Sequence, residues 1–267
     1  MKTHFLIALL TDFGLADPYV GIMKGIIWDI APGVPIVDLT HHIRPQNILQ
    51  GSFLLHSTYR QLPKGTIFVC VVDPGVGTHR LPVLVTVGKY AFVGPDNGLF
   101  GFLNGVPGKM VIHLQNKNYF RPIVSKTFHG RDIFAPVAAH LAAKGQAILP
   151  DLGPTLPRLR EIEGQFPDVN PSVIRGKIMH IDRFGNLITN IHSSHLKNLS
   201  FDKSRMPIKV KDISLPMVAT FSEAPASTPC ALIGSSDHVE IFVKNGSAEA
   251  TLNAKIGDSV HVLKHHH

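Results

Sequence analysis

The chain has 267 residues, of which 44% are hydrophobic and 17% charged, and its formal net charge is +7. This length allows one large or two modest domains, and the composition excludes a disordered protein. The basic residues form no run with interleaved aromatics, which argues against a nucleic-acid partner.

The first ten residues briefly resemble a secretory signal. The apolar run after Met1 is short and lacks a small-residue cleavage site, so we expect a first buried strand rather than a secretory signal. No run reaches membrane-spanning length, and we expect no membrane partner. Cys70 and Cys230 lie in apolar stretches, as buried thiols of a reducing compartment do, which indicates a cytoplasmic protein. Residues 265–267 are three histidines that we interpret as the remnant of a purification tag.

Strand-like and helix-like segments alternate in the first half of the chain. Apolar runs and helical spacing predict strands at 5–10, 35–39, 66–72, 82–87 and 90–93, and helices at 19–30, 46–62 and 133–144. We expect Asp132 to cap the last of these helices. This order predicts an α/β fold, with a Rossmann-like, mostly parallel sheet and helices on both faces, over residues 1–150.

The composition changes after residue 148. Residues 149–172 contain five prolines with charged residues between them, and we interpret 151–172 as an extended connector. Short β-rich runs follow, at 173–181, 187–191, 208–210, 229–233, 239–243 and 259–262. Their spacing predicts a smaller, antiparallel β-barrel domain over residues 173–264.

Ionisable residues follow the apolar runs, where a strand ends and a loop begins. Asp73 and Arg80 flank the segment Pro-Gly-Val-Gly-Thr-His after the third strand, and His129 lies between Phe128 and Gly130. Because ligands of open α/β sheets bind at the carboxyl ends of strands, we interpret these residues as a site. Singly, each has a plainer explanation: an ion pair that staples a turn, or an ordinary histidine.

Other loops carry groups suited to a nucleoside. Asp12 follows the first strand and could accept hydrogen bonds from a ribose diol, although Asp12 or Asp17 could instead cap the next helix. Phe184 and Asn186 offer a ring face and an amide to a base, or form a hairpin turn. Residues 234–236 offer hydroxyls and amides to a carboxylate, or are simply a loop.

These motifs occur in order over nearly the whole chain. They are Thr11-Asp-Phe-Gly14, Ile36-Val-Asp-Leu-Thr40, Asp73-Pro-Gly-Val-Gly77, Gly94-Pro-Asp-Asn-Gly98, Thr127-Phe-His-Gly-Arg-Asp132 and Asp182-Arg-Phe-Gly-Asn186. Together they resemble the S-adenosyl-L-methionine (SAM) hydroxide adenosyltransferases. These are adenosine-forming SAM hydrolases related to fluorinase and chlorinase.

The resemblance implies hydrolysis of SAM to adenosine and L-methionine by attack of water or hydroxide on the ribose C5′, without a cofactor or a metal. It implies a homotrimer with SAM between the N-terminal domain of one subunit and the C-terminal domain of a neighbour. The catalytic residues would be Asp73, Arg80 and His129. The substrate contacts would be Asp12 to the ribose diol, Asp17 to the methionine amino group, Ser235 and Ser236 to its carboxylate, Asn186 to the adenine edge, Phe184 near the ring and the backbone of Ala248 to the base.

Residues at the chemical centre separate the branches of this family. The halogenating relatives have a tyrosine where Asp73 stands, a hydroxyl residue or glycine at Val76, and a pair such as tyrosine-serine at His129 and the next position. The resemblance therefore points to the hydrolysing branch. Two positions depart from the pattern, Leu81 where a second basic residue is common and Ser247 where an amide is common.

We expect Arg80 to stabilise a developing hydroxide, Asp73 to orient Arg80 or the water, and His129 to complete the hydrogen bonds or accept the proton. An isolated buried arginine would be costly, which explains the nearby carboxylate.

Two alternatives remain. One is a metal-dependent hydrolase that uses Asp12, Asp73, His129 and Asp132, although no close pair of histidines with ligand spacing lies near them. The other is a nucleoside-binding protein without chemistry, for which Asp12 and Asn186 would matter and the three catalytic residues would not.

Overall fold

The computed structural model describes residues 5–196, 208–211 and 213–263. The chain forms two compact units, Met1–Ile162 and Glu163–His267. The histidines interpreted as a tag, and residue 264 of the predicted barrel, lie outside the described residues. Within the described ranges, no helix is both long enough and apolar enough to cross a membrane.

The first unit is built on one mixed sheet. Its described elements are β1 (Leu6–Thr11), α1 (Tyr19–Ile30), β2 (Ile36–Thr40), α2 (Ile48–Thr58), β3 (Thr66–Val71), β4 (Pro82–Val87), β5 (Tyr90–Pro95), β6 (Met110–His113), α3 (Ala135–Lys144) and β7 (Thr155–Leu156). The strand order is β2-β1-β3-β5-β4-β6-β7. Strands β2, β1, β3 and β5 pair in parallel, and β4, β6 and β7 extend the sheet with antiparallel pairings. The predicted α/β class is confirmed.

Strands β1 and β3 consist almost entirely of apolar residues because both of their faces are buried. Leu9 of β1 belongs to a core cluster that includes Met23 of α1. The next residue, Leu10, belongs to a second cluster that includes Leu55 of α2. Successive side chains of a strand point to opposite faces, so such a strand has apolar residues at every position rather than at alternate ones.

Several helix boundaries differ from those predicted. α2 begins at Ile48 rather than 46, because the side chain of Asn47 caps it by accepting a hydrogen bond from the backbone N–H of Gln50 at 2.9 Å. The prediction that Asp132 caps the third helix was wrong. A π-helical turn, Gly130–Phe134, precedes α3, and the carboxylate of Asp132 instead accepts from the backbone N–H of Ser125 at 2.8 Å.

The second unit is a nearly closed, antiparallel, barrel-like sheet. Its described elements are β8 (Asp168–Val169), β9 (Val173–Ile181), β10 (Leu187–His192), α4 (Ser193–Leu196), β11 (Ile208–Val210), β12 (Ile213–Leu215), β13 (Pro229–Ile233), β14 (His238–Val243), α5 (Ala248–Leu252) and β15 (Ser259–Leu263). The order is β12-β11-β15-β9-β10-β14-β13. The two ends approach each other after β12, where the backbone N–H of Ala231 donates to the carbonyl of Pro216 at 2.9 Å.

The segment 151–172, which we expected to be an extended connector, contributes a short strand to each unit. β7 pairs with β6 in the first sheet, and β8 pairs with β9 in the second. The proline-rich composition limits both strands to two residues each.

A close approach between β3 and β5 requires glycine at position 94. A Cβ atom at Gly94 would lie 2.3 Å from the carbonyl oxygen of Cys70 in β3. We therefore expect Gly94→Ala to lower the free energy of unfolding by about 2 kcal/mol or more, as overpacking of a core does. Gly105→Ala is the matched control, because a Cβ there would meet nothing within 4 Å.

Urea unfolding followed by the fluorescence of Trp28, the single tryptophan of the chain, reports on the first unit. Equal unfolding midpoints for the two alanine variants would show that the packing of β3 against β5 does not require glycine at position 94.

Candidate active site

A cavity of about 410 Å³ opens where β1 and β3 end. Its volume lies in the range of small-molecule sites. Its wall includes two carboxylates, one imidazole and three aromatic rings, which belong to Asp12, Asp73, His129, Phe13, Tyr19 and Phe128. Because Thr11 of β1 pairs in register with Val71 of β3, the two carboxylates leave the sheet at the same edge.

A buried ion pair joins Asp73 to Arg80. The Nε of Arg80 donates to both carboxylate oxygens of Asp73 at 3.0 Å, and its Nη2 donates to Oδ2 as well. The two side chains are only 5% and 4% exposed. Two opposite charges at this depth compensate each other, and removal of one would leave the other buried and unpaired.

The same guanidinium reaches His129, which lies 49 positions further along the chain. Nη2 of Arg80 is 2.6 Å from Nδ1 of His129. Because a guanidinium has only donors, Nδ1 must accept this hydrogen bond, and the ring proton of the neutral imidazole is then on Nε2. Burial lowers the pKa of His129, and the charge of Arg80 lowers it further. While Arg80 donates to Nδ1, His129 therefore offers its Nε2–H as a hydrogen-bond donor.

Arg80 lies behind the two residues that it joins. Asp73 and His129 line the cavity, whereas Arg80 is not among the lining residues. Its guanidinium carbon lies 5.4 Å from the centre of the Phe134 ring. Its Nη1 is buried and has no hydrogen-bond partner among the described residues. This geometry favours a positioning role for Arg80 over the direct contact with hydroxide that we expected.

Asn97 and Gly77 hold these loops in place, and the role of Asn97 was not predicted from the sequence. The side-chain amide of Asn97 donates to the carbonyl of Val72 at 2.8 Å, which fixes the backbone next to Asp73. Gly77 has φ +76°, and a Cβ there would lie 2.4 Å from the carbonyl oxygen of Lys126. Only glycine allows the loop after β3 to pack so closely on the loop that precedes His129.

Asp12 is held by another residue whose role was not predicted from the sequence. One oxygen of Asp12 accepts from the backbone N–H of Gln46 at 2.7 Å. Gln46 also lines the cavity, and its φ of +66° is uncommon for a residue other than glycine. Burial raises the pKa of Asp12, the charge of Asp73 acts in the same direction, and the hydrogen bond from Gln46 opposes them.

Asp17 does not line the cavity. It is exposed in the segment before α1 and is not among the lining residues. Neither Asp12 nor Asp17 caps α1, because the N-cap residue is Pro18 and no side chain bonds to the first turn.

In the second unit, the carboxylate of Asp182 organises the loop that carries two of the predicted base contacts. It accepts from the backbone N–H of Phe184 at 2.8 Å and of Asn186 at 2.9 Å, and from the side-chain amide of Asn186 at 3.0 Å. The loop is thus the turn that we considered as the plainer alternative. It nevertheless leaves the Phe184 side chain 76% exposed, with a ring face open to a partner.

This loop packs against the start of α5. The carbonyl of Gly185 accepts from the backbone N–H of Glu249 at 2.9 Å, so the loop lies beside Ala248, which is buried. Ser235 and Ser236 lie in a separate turn, between β13 and β14. Ser235 is exposed and Ser236 is partly buried.

Three of the four side chains considered for a metal site have cationic partners. Asp73 and His129 both contact Arg80, and Asp132 pairs with Arg131 at 2.7 Å. Among the residues that the structure describes, no three or more His, Cys, Asp or Glu side chains are arranged to hold a metal ion.

Comparisons with known proteins agree on one family. Residues 7–149 match the SAM hydroxide adenosyltransferase N-terminal domain, and residues 176–261 match the corresponding C-terminal domain. A protein of Thermus thermophilus named (R)-S-adenosyl-L-methionine hydrolase is 36% identical over 95% of this chain and 98% of its own. A fluorinase of an Actinoplanes species is 27% identical over 97% of both chains.

A solved structure extends the likeness to the fold. The crystal structure of an uncharacterized conserved protein from Thermotoga maritima has a TM-score of 0.88 and 32% identity, and the match covers 97% of this chain and all of the other.

The contact between Arg80 and His129 predicts which nitrogen of the imidazole carries the proton and how its pKa is shifted. We expect nitrogen NMR to show the proton on Nε2, and the ring to titrate below the ordinary value of 6.5, because burial and the charge of Arg80 lower its pKa. Arg80→Met should raise this pKa, since it removes a repelling cation while Asp73 remains. The signal is identified by its absence from His129→Gln, and Arg60→Met, an exposed arginine, is the control. A proton on Nδ1 would contradict the geometry.

Proposed function

Because the chain belongs to the SAM hydroxide adenosyltransferase family, we propose that it hydrolyses SAM to adenosine and L-methionine by attack of water on the ribose C5′. The observation that carries this proposal is the group of Asp73, Arg80 and His129, joined by hydrogen bonds, at a cavity whose wall also includes Asp12. An oxygen–carbon bond forms at C5′, the C5′–sulfur bond breaks with its electron pair going to sulfur, and one proton is released.

The charge of the substrate favours such a site. A sulfonium loses its positive charge as the C5′–sulfur bond breaks, so a good leaving group is already present and the reaction needs no cofactor. What the protein must add is a water held in line with that bond and a group that takes its proton. A site from which bulk water is excluded strengthens the electrostatic interactions that do this.

We propose a different task for each of the three residues. His129 donates from Nε2 to the water oxygen and holds it with one lone pair free for attack. Asp73 is the acceptor for the proton, because its carboxylate lines the cavity and the imidazole has no free lone pair while Nδ1 accepts from Arg80. Arg80 positions both.

The same residues favour water over a halide as the nucleophile. The carboxylate of Asp73 would accept a proton from a water at this place, but it would repel a halide anion there. Val76 lines the cavity and offers no hydroxyl to an anion. We therefore propose hydrolysis rather than halogenation, although fluorinases are among the relatives.

We propose that SAM is bound by contacts from two subunits of a homotrimer. Asp12 receives the ribose diol, which its place in the cavity wall and its bond to Gln46 support. From a neighbouring subunit, Asn186 and the backbone of Ala248 receive the adenine edge, and the exposed ring of Phe184 packs near it. The proposed contacts to the methionine part are Asp17 to its amino group and Ser235 and Ser236 to its carboxylate.

We propose that the first unit is Rossmann-like, with helices on both faces, since α1 and α3 share one core cluster with the sheet and α2 shares the other. We also propose a cytoplasmic location, which the two buried, unpaired thiols of Cys70 and Cys230 support.

The test is incubation of the purified protein with each sulfonium epimer of SAM in ¹⁸O-labelled water, with chelator and added halide. We expect equimolar adenosine and methionine, with one labelled oxygen in adenosine and none in methionine. The Thermus thermophilus relative is named as a hydrolase of (R)-S-adenosyl-L-methionine, so we expect that epimer to react faster. Loss of activity on chelation would favour the metal-dependent alternative, and a 5′-halo nucleoside would favour the halogenating branch. Binding without any product would favour the non-catalytic alternative.

A further inference from the structure

Three aromatic rings meet in one corner of the cavity. Phe13 follows β1, Tyr19 is the first residue of α1, and Phe128 precedes His129. The ring centres lie 5.6 Å apart for Phe13 and Tyr19, 5.8 Å for Phe13 and Phe128, and 5.2 Å for Tyr19 and Phe128. The corresponding interplanar angles are 54°, 82° and 80°. Phe128 therefore meets the other two rings edge to face, those two rings are tilted to each other, and the three enclose a corner instead of forming a stack.

All three rings line the cavity that holds the carboxylates of Asp12 and Asp73. Phe13 and Phe128 are partly buried against the core, whereas Tyr19 is 44% exposed. Rings and carboxylates in one wall form a surface that attracts positive charge, because the face of an aromatic ring is electronegative.

We propose that Phe13, Tyr19 and Phe128 form an aromatic cage for the methyl sulfonium group of the substrate. This inference rests on the proposed function and adds the residues that recognise the charged sulfur. A sulfonium has no N–H or O–H to donate, and its charge is spread over the attached carbons. Aromatic faces recognise quaternary ammonium and methylated lysine groups for the same reason.

The structure contains one such interaction with a member of the cage. The guanidinium carbon of Arg131 lies 5.3 Å from the centre of the Phe128 ring. Arg131 does not repel a bound cation strongly, because both oxygens of Asp132 pair with it, at 2.7 and 2.9 Å. Since Phe128 already has this partner, we assign most of the sulfonium contact to Tyr19 and Phe13, with Phe128 fixing their orientation.

The cage acts on binding and not on the chemical step. The positive charge on sulfur disappears as the C5′–sulfur bond breaks, so the attraction is strongest for the substrate and weakest for methionine, the neutral thioether. Removal of a ring should therefore raise KM without lowering kcat, because an interaction confined to the ground state does not help the transition state. Variants of Asp73 or His129 should lower kcat instead.

The experiment compares Tyr19→Leu, Tyr19→Phe and, as a matched control on the same helix, Trp28→Leu, which removes an exposed ring outside the cavity. The probes are SAM, the neutral thioether S-adenosylhomocysteine, and an aza analogue with a protonated tertiary amine in place of the sulfonium. For Tyr19→Leu we expect the KM for SAM and the Ki of the aza analogue to rise by about 5- to 30-fold, the range of a desolvated cation–π contact. The Ki of the thioether should change by less than about twofold, and Tyr19→Phe should resemble the wild type, as ring faces and not the hydroxyl bind the cation.

Equal weakening of the thioether and of the cations in Tyr19→Leu would overturn the cage and leave an ordinary apolar wall. A Tyr19→Phe variant as weak as Tyr19→Leu would also overturn it. Calorimetric binding of the aza analogue and the thioether needs no turnover, so it tests the cage even if the wild type makes no adenosine from SAM, the result that defeats the proposed function. If the wild-type protein binds the aza cation no better than the thioether, the cage is wrong whatever the activity.

Discussion

The guanidinium of Arg80 bonds to the carboxylate of Asp73 and to Nδ1 of His129 at the same time, and the rest of the site depends on this contact. It unites two loops that are distant in the chain. It also limits the hydrogen bonds that His129 can make. Because a guanidinium has only donors, the neutral imidazole accepts at Nδ1 and carries its proton on Nε2. The result is one donor and one acceptor on the cavity wall, held by a cation behind them.

The fold brings these groups together through the register of two parallel strands. β1 and β3 pair along their whole length, so the residues that follow them emerge at one edge of the sheet, as ligand-binding residues do in open α/β sheets. The loops are then fixed by contacts between them: the close approach at Gly77 and the hydrogen bonds from Asn97 to Val72 and from Gln46 to Asp12. The local sequence thus determines the strands, whereas contacts between the loops position the residues of the site.

This division explains what the sequence predicted and what it did not. The strands, the α/β class and the barrel-like second sheet follow from periodicity and apolar runs, and the motifs pointed to Asp73, Arg80 and His129. The anchoring roles of Asn97 and Gln46 could not be predicted, because each depends on a loop far away in the chain. Asp132 has the position of a helix cap but holds the preceding loop instead. The sequence also could not predict which nitrogen of His129 carries the proton, because this depends on the position of Arg80.

The most direct test of the central claim is a double-mutant cycle with Asp73→Asn and His129→Ala, in which kcat for SAM hydrolysis is measured. We expect each single variant to lose roughly 10²- to 10⁴-fold, and the double variant to be about as slow as the slower single one, because residues that act as a unit lose their effect together. If the two losses multiply, Asp73 and His129 act independently, and their joint action on one water through Arg80 is contradicted.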